Sequence, residues 1–210
     1  MNNTNNNRLS TGNVQSSPLG GIRGGLLVLL FMVCGLVGYA QTADQLYKEG
    51  KALYDKEQYG QAVPKLRAAA KKNHKKAQYR LGRCYDKGRG VEENDSLAFL
   101  WYSKSAEQNY HKAQYQVGRC YKKGKFVKKD HATAFRYFLK SARQNNADAA
   151  LALAECYMKG KGTGKNLAKA KQWVKRAVNN EDDGAEILAN LKKDAKDGDE
   201  DAIELLKLLK

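Results

Sequence analysis

Residues 77–88 read AQYRLGRCYDKG, residues 113–124 read AQYQVGRCYKKG, and residues 149–160 read AALALAECYMKG, each stretch starting 36 positions after the last. Ala77, Leu81 and Tyr85 recur four apart, so they share one face of a helix. Gly82 sits beside that face, where a missing side chain lets a second helix approach. Lys87 falls in the last turn, favourable to the helix dipole, and Gly88 follows as a C-terminal cap. Lys123–Gly124 and Lys159–Gly160 repeat both roles.

Outward from each stretch lies a loop: RGVEEN, KFVKKD and KGTGKN. The loops end on Asn94, Asp130 and Asn166, residues whose side-chain oxygens accept an orphan backbone N–H and start a helix. In the second helix Ala98, Ala134 and Ala170 share a register, as do the bulky Trp101, Tyr137 and Trp173. Small then bulky at helical spacing predicts helix-on-helix packing. A single helix pair cannot bury its apolar faces alone, whereas stacked pairs can, which is the physical reason to repeat. The expected fold is all-α: a right-handed solenoid of stacked antiparallel helix pairs.

The pattern resembles the Sel-one-like repeat (SLR) family, a branch of the tetratricopeptide-repeat superfamily. Residues 77–106 carry its signature: Ala77, Leu81-Gly82, Tyr85, Gly88-x-Gly90-Val91, Asn94, Ala98, Trp101 and Ser105-Ala106. The departures are Phe126 for the second loop glycine, Ala154 for the glycine after Leu, and Thr163 for the loop valine. The repeats are assigned to residues 75–110, 111–146 and 147–182. Residues 41–74 resemble an ordinary tetratricopeptide repeat, with Gly50, Ala62, Leu66 and Ala69 at its key sites. Its internal loop is four residues shorter, because Gly50 to Ala62 is 12 positions whereas Gly82 to Ala98 is 16. At the other end Ala185 keeps phase with Ala149 but Lys193 falls where Tyr157 was, so residues 183–210 are expected to close the array as capping helices.

The start of the chain differs. Residues 1–23 are rich in Asn, Ser and Gly, and residues 26–40, LLVLLFMVCGLVGYA, carry no charge. A basic leader, an apolar core and small residues at Gly38 and Ala40 predict a secretory signal cleaved before Gln41, with an uncleaved signal anchor as the alternative. Export places the protein in the periplasm or cell envelope of a bacterium. Residues 1–40 carry two positive charges, Arg8 and Arg23, and no negative one, so the remainder holds +14 of the formal +16. Such a surface favours anionic partners.

Cys84, Cys120 and Cys156 occupy matching places on successive parallel helices. Packed helices lie ~8–10 Å apart, whereas bridgeable cysteines need Cα atoms within about 7 Å. The three are therefore expected as reduced, buried packing residues. Zinc is disfavoured by the lack of a CxxC pair and by the placement of His74, His111 and His131 elsewhere in the repeat. There is no nucleophile elbow, phosphate-binding loop or metal-spaced His/Glu pair, so neither an enzyme nor a cofactor is expected.

In tetratricopeptide-like arrays the first helices line the concave face. The resemblance puts Tyr47 and Lys51, then Lys76, Tyr79, Arg83 and Lys87, then Lys112, Tyr115, Arg119 and Lys123 along it. The third SLR breaks the series with Asp148, Leu151 and Glu155, followed by Lys159. The tyrosines either stack partner groups or pack on neighbouring repeats. The arginines offer a planar fork for carboxylates. The leading expectation is a non-enzymatic adaptor that binds an acidic protein or peptide segment. The alternative is a protein for polyanions or anionic surfaces, using the lysine runs at 71–76 and 122–129. Nucleic acid is disfavoured by export. A membrane would be met through an uncleaved N-terminal segment or through surface charge.

Overall fold

The computed structural model describes residues 41–210, which form one compact unit. The predicted signal segment and Cys34 lie outside the described residues. Ten helices follow one another, with no strand among the described residues. They are α1 (Ala43–Asp55), α2 (Tyr59–Lys71), α3 (Lys75–Lys87), α4 (Asp95–Glu107), α5 (His111–Lys123), α6 (His131–Arg143), α7 (Ala147–Lys159), α8 (Leu167–Val178), α9 (Gly184–Lys196) and α10 (Glu200–Leu209). Each packs chiefly on its neighbours in sequence, which makes the unit an all-α solenoid of helix pairs. No described helix is long and apolar enough to cross a membrane.

The boundaries follow local chemistry. Asn94 accepts from the Leu97 N–H at 2.9 Å, Asp130 from Thr133 at 3.0 Å, and Asn166 from Lys169 at 2.8 Å. Gly88, Gly124 and Gly160 close α3, α5 and α7. Between pairs the chain turns through Asn73, Asn109 and Asn145, each with positive φ, at 62°, 59° and 64°. Asparagine tolerates this region better than most side chains.

In the first two SLRs the glycine expected to admit a helix stands against a large ring of the second helix. A β-carbon on Gly82 would lie 2.7 Å from the Tyr102 ring, and one on Gly118 would lie 2.6 Å from Phe138. In the third SLR the larger Ala154 stands opposite the smaller Val174, both fully buried. Leu66, Tyr102, Phe138 and Val174 run at 36-residue spacing and are the large buried residues of their helices. Trp101, Tyr137 and Trp173 are only half-buried and pack at the margins of the apolar clusters, while the residue after each fills the centre.

A polar ladder runs beside this core. Gln78, 2% exposed, donates to the Ala70 carbonyl at 3.2 Å and to Asn73 Oδ1 at 3.1 Å. Gln108 Nε2 donates to Gln78 Oε1 at 2.6 Å. One repeat on, Gln114 donates to Asn109 at 2.8 Å and Gln144 to Gln114 at 2.8 Å. Buried amides must find partners, and these find them across the junction between repeats. The interlock therefore adds specificity of stacking to the apolar core.

At the C-terminal end the phase of the repeat shifts. Ala185, in phase with the buried Ala149, is exposed, and its neighbour Gly184 is buried instead, against the Val178 backbone. Lys159 forms an ion pair with Asp201, tying α10 back to α7.

Of the cysteines, Cys84 and Cys156 are buried, and desolvation pushes both thiols up to about 11. Cys120 is corrected: it is half-buried and lines a small cavity, although desolvation raises its thiol too. All three are free. In native protein a small maleimide is expected to label Cys120 slowly and Cys84 and Cys156 only after denaturation, since the reactive thiolate is scarce at all three. Counting labels by mass against time checks this. Fast native labelling of Cys84 would contradict the burial.

Candidate functional site

The first helices of successive pairs, α3, α5 and α7, bring their outward residues to one surface. Asp148 lies in the first turn of α7. Its side chain reaches solvent, yet surrounding protein desolvates it enough to raise its carboxyl above the usual range, with Asp183 adding to the effect. The carboxylate of Asp148 also reaches the field at Tyr115 and, from two repeats away, at Tyr79.

Tyr79 and Tyr115 pack against aromatic rings of the second helices. Tyr79 sits 5.9 Å from the Tyr102 ring and edge-on to Tyr110 at 5.3 Å. Tyr115 lies 5.9 Å from Phe138. Burial raises the Tyr79 phenol and pushes Tyr115 up to about 12. One face of each ring is thus committed to packing. Tyr47 stacks on His74 at 4.3 Å, beside an open cleft that also carries Lys76.

The cations fall into two groups. Lys51 is held by Asp55 at 2.5 Å, and Lys87 stands 3.6 Å from Asp86. Lys76, Lys112 and Lys123 are exposed and pair with no carboxylate among the described residues. Arg83 and Arg119 are half-buried and likewise carry no ion pair among the described residues. The Arg83 guanidinium lies 5.9 Å from the Tyr54 centroid. Arg119 lies 5.8 Å from the Tyr115 centroid and donates to Gln116 Oε1 at 3.1 Å. Lys87, Arg119, Lys123 and Lys125 line one cavity of about 110 Å³ together with Tyr102, Cys120 and a single carboxylate, Asp86, which pairs with Lys87 and Lys125. In the third SLR the arginine place is taken by Glu155, which is ion-paired with Lys122.

Sequence reasoning missed Arg80. Its side chain pairs with Asp55 at 3.3 Å and lies 5.0 Å from the Tyr54 ring, which Arg89 also meets, donating to the Tyr54 hydroxyl at 2.8 Å. The matching positions are Gln116 and Ala152, so periodicity carried no signal. Among the described residues no group of three or more His, Cys, Asp or Glu is arranged to hold a metal.

The family model for the Sel1 repeat matches residues 75–110, 111–146 and 147–182. The chain belongs to the Sel1 repeat family. Among solved structures it is similar to a Sel1 repeat protein from Oxalobacter formigenes, at 37% identity and a TM-score of 0.63, covering 66% of this chain and 55% of that one. It is also similar in fold to c5321, a protective antigen of uropathogenic Escherichia coli with an SLR fold. That likeness has 23% identity and a TM-score of 0.63, over 86% of this chain and 40% of the antigen. The chain therefore spans about half the length of these relatives. No curated protein matches it. Sel1 repeats are typical of protein–protein interaction scaffolds.

Proposed function

We propose that this Sel1 repeat protein is an exported, non-enzymatic scaffold that holds an acidic segment of a partner protein in the groove of its first helices. The observation that supports this most is the gathering of Lys87, Arg119, Lys123 and Lys125 around one small cavity with one carboxylate, Asp86, among them. An unpaired guanidinium over an aromatic ring is partly desolvated already, and a partner carboxylate restores its lost hydrogen bonds. Arg83 extends the site one repeat toward the N-terminus. Asp148 and Glu155 give the groove a direction, so the acidic part of a ligand lies toward the first pairs and its less acidic part toward α7. Capture of the partner from the cell envelope by wild type and by the double variant Arg83→Glu/Arg119→Glu tests the groove.

Export is the second element of the proposal, supported by the basic leader and the apolar run at residues 26–40. Intact mass of the protein from its own host is expected to correspond to a chain beginning at Gln41. A mature chain retaining residues 24–40 would mean an anchor instead.

A further inference from the structure

The loop between α5 and α6 departs from its two counterparts. Gly90 and Gly162 sit at φ of 69° and 76°. A β-carbon on Gly90 would fall 2.5 Å from the Tyr59 backbone, and one on Gly162 would fall closer still to the His131 carbonyl oxygen, each at the helix start it rests on. Phe126 occupies the same place in the second SLR, with φ of 66°. A bulky side chain in the left-handed region is disfavoured, and glycine relieves it at both neighbouring sites. Packing does not explain the exception, because Phe126 is 57% exposed. Its one aromatic neighbour is Phe99, whose ring lies 5.8 Å away at a tilt.

The surroundings are cationic. Lys125 binds Asp95 at 2.7 Å and Asp86 at 3.4 Å, fixing the loop base to the preceding helix pair. Lys128 and Lys129 are exposed and pair with no carboxylate among the described residues. The matching residues of the preceding loop are Glu92 and Glu93. The third loop keeps Lys165 at the Lys129 place but has Gly164 at that of Lys128, so the adjacent lysine pair is particular to the loop that carries the exposed ring.

We infer that loop 124–130 docks the protein on an anionic lipid surface, with the Phe126 ring in the boundary between headgroups and acyl chains and Lys128 and Lys129 on headgroup phosphates. A bilayer surface is anionic outside and apolar just beneath, and aromatic rings favour that boundary. A soluble polyanion or an acidic peptide would use the two lysines but gives a lone apolar tip no apolar phase to enter. The net charge of +14 outside residues 1–40 draws the protein to such a surface. Phe126, Lys128 and Lys129 do not line the cavity at Arg119, so the inference does not depend on the groove, and the scaffold holds a partner while resting on a membrane.

The test uses residues 41–210, the compact unit that contains every described apolar cluster. Sedimentation with phosphatidylglycerol vesicles should show binding, and phosphatidylcholine vesicles should show far less. Phe126→Gly should weaken binding roughly tenfold while its melting temperature holds or rises, because the backbone conformation becomes easier. Lys128→Ala/Lys129→Ala should weaken it by about fivefold per lysine. Phe126→Trp should keep binding and gain quenching by brominated lipids beyond that of Trp101 and Trp173 in the unchanged chain. Equal vesicle binding by wild type and Phe126→Gly would overturn the inference. So would heparin binding that is indifferent to Phe126, in the absence of vesicle binding.

Discussion

Gly118→Ala is expected to lower the melting temperature by several degrees, although alanine is the better helix former. The added β-carbon would lie 2.6 Å from a ring carbon of Phe138, which is fully buried and cannot swing away. Overpacking of this kind costs roughly 1–3 kcal/mol, against about 1 kcal/mol gained from helix propensity. With the β-carbon this close to an immovable ring the cost lies near the upper limit, so the loss wins. In a unit of this size each kcal/mol shifts melting by about 2–4 °C. Phe138→Val alone leaves a cavity opposite Gly118 and costs about 2 kcal/mol. The double change copies the Ala154 and Val174 pairing of the third SLR, so it should recover most of both losses, with a favourable coupling of roughly 1–3 kcal/mol. Thermal or denaturant unfolding of the four proteins closes the cycle. Additive losses would mean that this small-against-large match does not hold the pairs together.

The same matching explains what was legible beforehand. Gly82, the cap residues, Asn94, Asp130 and Asn166, and the shortened first loop all recur or shift at a fixed interval of 36, and each has one local physical role. The bulky register of the second helix was legible, but which of two adjacent large residues fills its centre was not. Trp101-Tyr102 and Tyr137-Phe138 offer two adjacent large apolar residues, and one step on a helix turns the face by about 100°. The Asn73, Gln78 and Gln108 ladder is periodic too, but it is polar, and a search for apolar recurrence passes over it. Arg80 escaped for the opposite reason: it has no counterpart in the other repeats. Ala185 kept phase in sequence while the backbone did not, since Gly184 closes on Val178 and resets the register. Within the groove, sequence placed the unpaired arginines but could not divide the tyrosines between packing and display. That division depends on Tyr102 and Phe138 beneath them.

Reversing the two groove arginines carries the largest functional effect. Arg83→Glu with Arg119→Glu should abolish partner capture while circular dichroism and melting stay near wild type. Neither guanidinium forms an ion pair among the described residues, so little native structure is lost with them. Each charge-assisted bond to a partner carboxylate is worth roughly 1.5–3 kcal/mol. Losing both therefore weakens binding by at least about a hundredfold before repulsion from the new glutamates is counted. Loop changes at Lys128 and Lys129 should leave partner capture almost untouched. A protein that gripped any polyanion would reverse this order, and its binding would fall steeply with salt.

Photo-crosslinking from defined positions tests the groove most directly. Benzoylphenylalanine placed singly at Lys76 or Lys112, both exposed on first helices, should crosslink the same protein in the native host. The same probe at Lys140, exposed on α6, should not. Both groove crosslinks should disappear in the Arg83→Glu/Arg119→Glu background. Crosslinks of equal strength from Lys140, or groove crosslinks that persist in that background, would contradict the assignment.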